Sequence, residues 1–219
     1  MKYGIIPKLM WAGYKGTFKK HLSATLSEEN PREVMKAAHK EYKQILGGIP
    51  EFYKGDRFLI NIVSCALLSA VLLSVKNKYS VEEVRAYYRN AMCENFLTKS
   101  ASKKSKAYTV KGREKLKAQA LASEKNENPY SWKFSVEDGK TINQYTAYFY
   151  TCGICRLMTE LGLKEYIPAM CTLDYDMAEL NDTVFTREQT LAGGGSLCDC
   201  HYDHKPHKLT FLVAKTKRK

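Results

Sequence analysis

The sequence predicts an α+β fold in which an N-terminal helical half packs on a C-terminal antiparallel sheet with two helices. Residues 1–128 space their apolar side chains as helices do, and residues 129–204 alternate apolar and polar side chains around turn signals. No segment of the chain repeats. We expect one compact domain with a helical region at 1–128, an α+β region at 129–204 that carries the site, and a basic tail at 205–219.

Three helices are predicted in the first hundred residues. One spans residues 31–48, where a proline lies in the first turn and a glycine pair ends the pattern. The uncharged run over residues 58–75 is short for a membrane span and contains several polar residues. We therefore expect a buried helix there and no membrane partner. Ser80 and Glu83 form a capping-box pattern that begins the third helix.

The next elements mark the change from helices to a sheet. A basic amphipathic segment over residues 103–123 is predicted as a fourth helix. Residues 132–136 alternate as in a half-buried strand, and residues 144–150 form the returning strand. Residues 137–140 between them contain Asp-Gly, which is typical of a hairpin turn.

The last elements are two helices and two more strands. The helices are predicted over residues 155–161, ending at Gly162, and over residues 164–180. The strands are predicted over residues 184–191 and 197–203, joined across the glycine run at 193–195.

The formal charge of +12 is concentrated in residues 99–119 and 205–219. Basic stretches attract polyanions, but no nucleic-acid motif and no interleaved aromatic platform accompanies them. We expect a solvated helix face and a basic tail, without a specific nucleic-acid partner. The first sixteen residues lack the pattern of a secretory signal, and the chain has seven cysteines, an odd number. These features predict a cytoplasmic protein with free thiols.

Five of the seven cysteines lie between Cys152 and Asp203, beside the glycine run. Strand alternation in the last strand places Cys198, Cys200 and Tyr202 on one face and Asp199, His201 and Asp203 on the other. On the helix before these strands, a carboxylate near the apolar face needs a partner. That carboxylate is Asp174, and Arg187 is the candidate partner, in a pair that on one interpretation only stabilises the fold.

A metal site is weakly indicated. Cys152 and Cys155 resemble half of a zinc site, whereas Cys198 and Cys200 are one residue closer together than the usual zinc knuckle requires. We expect no cofactor, and zinc or another divalent metal stays an alternative.

The C-terminal third resembles the L-2-amino-thiazoline-4-carboxylic acid hydrolase family. The resemblance rests on an ordered pattern: a cysteine before a short helix that ends in Leu161-Gly162-Leu163, then Pro168, Cys171-x-x-Asp174, Met177-Ala178, Arg187-x-x-Thr190, Gly193 and Cys198-Asp199. After Asp199 the family tends to have an aromatic and then a basic residue, whereas this chain has Cys200 and His201. The polar positions of the family correspond to Cys152, Asp174, Arg187, Thr190, Cys198 and Asp199.

The resemblance implies hydrolytic opening of a small ring at an amidine-like carbon, giving an N-carbamoyl amino acid. A thiolate would attack that carbon, Asp174 or Asp199 would bind the amidinium and move protons, and Arg187 would bind the substrate carboxylate. Cys198 is preferred over Cys152 as nucleophile because the neighbouring glycines give access. A metal-activated water is the competing mechanism.

Further positions and alternatives complete the sequence-based interpretation. Thr190, Gly193 and His201 are expected to contact a small-molecule substrate, and a homo-oligomer is possible. The alternative function is a non-enzymatic sensor that binds a small ligand or a metal in the same place.

Overall fold

A computed structural model describes residues 1–102 and 106–205 of the chain. These residues form the expected α+β fold, with the helices mostly in the N-terminal half and one four-stranded antiparallel sheet in the C-terminal half. The elements in chain order are α1 (Ile5–Ala24), α2 (Pro31–Gly48), α3 (Leu59–Ser74), α4 (Val81–Cys93), α5 (Phe96–Ser102), α6 (Val110–Glu124), β1 (Phe134–Asp138), β2 (Gln144–Phe149), α7 (Gly153–Glu160), α8 (Ile167–Leu180), β3 (Thr183–Thr186) and β4 (Cys198–His204).

Helix α3 is the centre of the molecule. Every residue from Ile62 to Leu72 is buried, as an uncharged run at the core of a globular protein requires. Side chains of α2, α7 and the strand residue Phe134 belong to the same hydrophobic core, so the helical half and the sheet share it. Across residues 1–102 and 106–205, no helix has both the length and the apolar character that crossing a membrane would need.

Two helices of the N-terminal half were not predicted from the sequence. Helix α1 contains two glycines and several lysines, which obscure its pattern, yet it buries Trp11, Phe18 and Leu22 on one side. Their spacing of seven and four residues is the helical signal that identifies it. Helix α5 is only seven residues long, too short for a periodic pattern.

The capping box at the start of α4 is present, with Ser80 accepting the backbone N–H of Glu83 while the Glu83 carboxylate accepts the N–H of Ser80. The basic segment predicted as a helix over 103–123 corresponds to α6, which Thr109 caps at its N-terminus. Residues 103–105 lie outside the described part of the chain, as does the predicted tail beyond Lys205.

The sheet has the strand order β1-β2-β4-β3, with every neighbouring pair antiparallel. The predicted turn at 137–140 is wrong by two residues, because β1 continues through Asp138 and the connection is 139–143. Arg113 explains this placement, since its guanidinium binds the Asp138 carboxylate and the carbonyls of Ile142 and Gln144. The arginine thereby holds both ends of the hairpin.

The two helices expected between the second and third strands are present, and Gly162 separates them with a φ of 72°. The second begins three residues later than predicted, because Lys164–Tyr166 form a 3₁₀ turn before α8. The strand predicted over 184–191 is too long. Strand β3 ends at Thr186, and Arg187 begins a loop that runs to residue 197. The loop leaves the sheet because the Asp199 carboxylate accepts the backbone N–H groups of Glu188 and Gln189, which therefore form no strand pairs.

Candidate active site

A cavity of about 220 Å³ lies between the inner face of the sheet and the helices α3, α7 and α8. We call it the thiol pocket. Its lining comprises four cysteines, a carboxylate, two guanidinium groups, an amide and mainly aromatic and apolar side chains: Arg57, Phe58, Asn61, Trp132, Phe149, Cys152, Ile154, Met170, Cys171, Asp174, Arg187, Cys198, Cys200 and Tyr202. A small apolar cavity with a few convergent polar groups is typical of a small-molecule site.

Strand alternation decides which residues of β4 reach the pocket. Cys198, Cys200 and Tyr202 line it, as the sequence pattern indicates. Their antiparallel partners on β2 are Phe149, Ala147 and Tyr145, which face the same side. Asp199 and His201 point to the opposite face of the sheet. The structure therefore separates Cys198 from Asp199, although the two are neighbours in sequence.

Cys152 occupies the N-cap position of helix α7, and its Sγ accepts the backbone N–H of Cys155 at 3.5 Å. The start of α7 can pack this closely against Tyr130 because residue 153 is glycine. A Cβ at Gly153 would lie 1.9 Å from the carbonyl oxygen of Tyr130. The N-terminus of a helix carries unpaired N–H groups and a positive partial charge, both of which stabilise a thiolate. Cys152 is therefore held where its anion is favoured.

The pKa values distinguish Cys152 from the other thiols. All seven cysteines fall within the described residues, and Cys152 alone has a lowered pKa. The main cause is a hydrogen bond from the Cys155 thiol, assisted by the backbone N–H groups of α7, and these outweigh burial. The Cys155 pKa is correspondingly raised.

The remaining pocket thiols favour the protonated form. Burial raises the pKa of Cys171 and of Cys200 to about 12. Burial also raises the pKa of Cys198, although the N–H of Leu191 donates to its Sγ at 3.3 Å. These thiols are poor nucleophiles at neutral pH, because the thiolate is the reactive form.

Asp174 and Arg187 form the expected ion pair, with Nη1 of the arginine 3.1 Å from Oδ2 of the carboxylate. The second arm of the guanidinium donates to the Cys171 carbonyl at 3.1 Å, and the arginine side chain is only 7% exposed. Asp174 is 51% exposed, because it faces both the thiol pocket and a neighbouring cavity of about 150 Å³. The protein atoms around the carboxyl group desolvate it despite this exposure, which raises the pKa of Asp174 to about 6 against the lowering effect of Arg187.

The other residues singled out in the sequence lie outside the pocket. Thr190 caps a short 3₁₀ turn by accepting the N–H of Gly193 at 2.9 Å, and the loop reverses at Gly194 with a φ of 88°. His201 lies on the outer face of the sheet, where its Nδ1 is 2.8 Å from Thr146 Oγ1 and its Nε2 is 3.6 Å from Asp199 Oδ2. None of Thr190, Gly193, Asp199 and His201 lines the thiol pocket.

Two pocket residues, Arg57 and Asn61, were not identified from the sequence. Asn61 lies in the first turn of α3 and Arg57 lies just before the helix, so both are at the end of α3 that borders the pocket. The available signal was a charged residue directly before an uncharged run of eighteen residues. Such a charge has to lie where the buried helix reaches a cavity or the surface.

Cys152 and Trp132 also line a second, larger opening of about 420 Å³ formed by the segment before β1 and the start of α7. Cys152 thus lies between the two openings. Within residues 1–102 and 106–205, no group of three or more histidine, cysteine, aspartate or glutamate side chains is arranged to hold a metal ion.

The fold and the site define a small α+β protein with an electropositive, thiol-lined pocket built around a cysteine at a helix N-terminus. The family model for L-2-amino-thiazoline-4-carboxylic acid hydrolase matches residues 54–202, well over half of the chain. The chain belongs to that family, and the name of the family implies hydrolase activity. Neither a curated protein sequence nor a solved structure matches it significantly.

Proposed function

We propose that the protein hydrolyses a small heterocyclic amidine of the 2-amino-thiazoline-4-carboxylate type to an N-carbamoyl amino acid, with Cys152 as the nucleophile. The observation that supports it most is the position of the Cys152 thiol, which caps α7 inside the pocket that also holds Asp174. The family name supplies the substrate type.

The chemistry follows two steps. The Cys152 thiolate adds to the ring carbon that bears the amino group, and the bond from that carbon to the ring sulfur breaks, releasing the sulfur as a thiol after it takes a proton. Water then adds to the carbon of the S-linked isothiourea and expels the Cys152 thiolate. The sum is one substrate plus one water, giving an amino acid with an N-carbamoyl group and a free thiol.

Asp174 suits the proton transfers in these steps. Its pKa of about 6 lies close to neutrality, so the carboxylate accepts a proton from water and returns it to a leaving group. Its negative charge also pairs with the amidinium of the substrate. Arg187 fixes the carboxylate in place through the 3.1 Å contact, and we assign it this positioning role instead of substrate binding.

The geometry favours Cys152 over Cys198, the nucleophile preferred from the sequence. The Cys198 Sγ accepts the N–H of Leu191, and the glycine run that was expected to open access to it belongs to a loop that Asp199 ties to the sheet. The Cys152 thiol carries the lowered pKa and borders two openings. We therefore propose that Cys198 forms part of the pocket wall.

The test is ring opening of 2-amino-thiazoline-4-carboxylate by purified protein, measured by chromatography of the N-carbamoyl product. We expect Cys152→Ser to lose activity by at least about a hundredfold, since a serine hydroxyl is not ionised at neutral pH. Cys198→Ser is expected to retain activity within about tenfold. Cys93→Ser is the matched control, because Cys93 is a half-buried thiol on α4 outside the pocket.

Two results would contradict the proposal. Full activity in Cys152→Ser would exclude covalent catalysis by this residue, and activity lost only in Cys198→Ser would restore the nucleophile preferred from the sequence. Trapping the isothiourea adduct by rapid acid quench and locating it by mass spectrometry distinguishes the two thiols directly.

A further inference from the structure

Arg57 is the second guanidinium of the thiol pocket, and it lies directly before helix α3. Its guanidinium carbon is 5.5 Å from the centroid of the Phe58 ring and 5.7 Å from that of Phe134. Both rings lie within the range of cation–π contact, which holds the guanidinium by its charge and leaves its N–H groups available to donate to a ligand.

The charge of Arg57 has no carboxylate partner among the residues that the structure describes. Within that part of the chain it donates one hydrogen bond, to the Gln119 side-chain oxygen at 3.5 Å. The adjacent carboxylate of Asp56 is occupied, since it accepts from the backbone of Phe58 and from the side chains of Asn126 and Ser131. Arg187, by contrast, uses both arms on Asp174 and a carbonyl.

The surroundings of Arg57 add further positive potential. The pocket contains two guanidinium groups and one carboxylate, and the N-termini of α3 and α7 both open into it through Asn61 and Ile154. Desolvation by the surrounding protein lowers the pKa of the Arg57 guanidinium, although the residue as a whole is exposed. An anion in the pocket would offset this cost.

We infer that Arg57 anchors the carboxylate of the substrate and makes the pocket selective for small ring carboxylates over their neutral analogues. The inference rests on the proposed function, because it concerns the same pocket and substrate type. Arg57 lines the same cavity as Cys152 and Asp174, so a carboxylate bound by its guanidinium keeps the attached ring in the cavity with both residues. This assignment transfers to Arg57 the role that the family resemblance implied for Arg187.

The test compares a carboxylate with its carboxamide. The probe is 2-aminothiazole-4-carboxylate, whose aromatic ring resists opening, and the neutral reference is 2-aminothiazole-4-carboxamide. Isothermal titration calorimetry measures both ligands on the full chain as wild type, Arg57→Gln and Arg57→Lys. Arg85→Gln is the matched control, because Arg85 is exposed on α4 and does not line the pocket.

We expect the wild type to bind the carboxylate about 10- to 100-fold more tightly than the carboxamide, as for a hydrogen-bonded charge pair. Arg57→Gln should lose this preference while binding the carboxamide as the wild type does, which shows that the pocket is intact. Arg57→Lys should retain part of the preference, and Arg85→Gln all of it.

Several outcomes would overturn the inference: no carboxylate preference in the wild type, an unchanged preference in Arg57→Gln, or equal loss of both ligands in that variant. Failure of the proposed function has a different signature. In that case the carboxylate preference depends on Arg57, but no ring opening of 2-amino-thiazoline-4-carboxylate is detected.

Discussion

Replacing Gly153 with alanine tests how the N-terminus of α7 is held. A Cβ at this position would lie 1.9 Å from the carbonyl oxygen of Tyr130, 2.5 Å from its carbonyl carbon and 2.9 Å from Cδ1 of Ile62. Ordinary van der Waals contact begins at 3.4 Å, and the nearest atoms belong to the backbone, so they cannot turn aside. Either α7 or the segment containing Tyr130 has to move.

Overpacking of this kind costs about 1–3 kcal/mol. For a chain of this size the midpoint of thermal unfolding should fall by about 3–10 °C. Displacing α7 also weakens the hydrogen bond that the backbone N–H of Cys155 donates to the Cys152 thiolate. The pKa of Cys152 should therefore rise. We therefore expect a lower melting temperature by circular dichroism, together with slower alkylation of Cys152 at pH 7.

The control is Gly16→Ala, since Gly16 lies inside α1 and a Cβ there meets no atom within 4 Å. Alanine in a helix is favoured over glycine by about 1 kcal/mol, so this variant should melt at or above the wild-type temperature. If Gly153→Ala melts like the wild type and alkylates at the same rate, the close approach of α7 to Tyr130 does not hold the thiol.

Three further predictions concern single side chains. The rate constant kcat/KM for ring opening should fall as the pH drops through about 6, because Asp174 gains a proton. In Arg187→Gln this fall should occur about one pH unit higher, because the arginine no longer lowers the pKa of Asp174. A pH profile unchanged in that variant would contradict the positioning role. Iodoacetamide at pH 7 should modify Cys152 before any other cysteine, as read by peptide mass spectrometry, and earlier modification of another thiol would contradict the pKa order. Asp199→Ala should lower the free energy of unfolding, measured in urea, by about 1–3 kcal/mol, because two backbone N–H groups lose their acceptor. The control is Asp203→Ala: Asp203 is exposed, so the free energy of unfolding should change by less than about 0.5 kcal/mol. Equal effects of the two aspartate substitutions would refute that account.

Local sequence rules predicted much of the fold. The buried helix α3 follows from a run of apolar residues without charge, and the start of α4 follows from the Ser80–Glu83 capping box. The alternation along β4 correctly separated Cys198 from Asp199. These features depend on neighbouring residues alone, and they are therefore visible in one sequence.

Other features depend on contacts between distant segments. The end of β3 is determined by Asp199. Its carboxylate accepts hydrogen bonds from the backbone N–H groups of Glu188 and Gln189, which would otherwise pair with a strand. The unusual thiol of Cys152 depends on the direction of α7 and on its approach to Tyr130. The position of Arg57 depends on where α3 ends in the core. A local pattern shows at most that a charge precedes a buried helix, and it does not specify which segments meet at these three places.

The loop over residues 187–197 is attached to β4 from both faces of the sheet. On the inner face the Cys198 Sγ accepts the N–H of Leu191, and on the outer face the Asp199 carboxylate accepts the N–H groups of Glu188 and Gln189. Two adjacent residues of β4, Cys198 and Asp199, therefore both hold the loop by hydrogen bonds. An insertion or deletion between Gln189 and Leu191 would break one attachment, so the length of the chain between these two residues is constrained by the sheet itself.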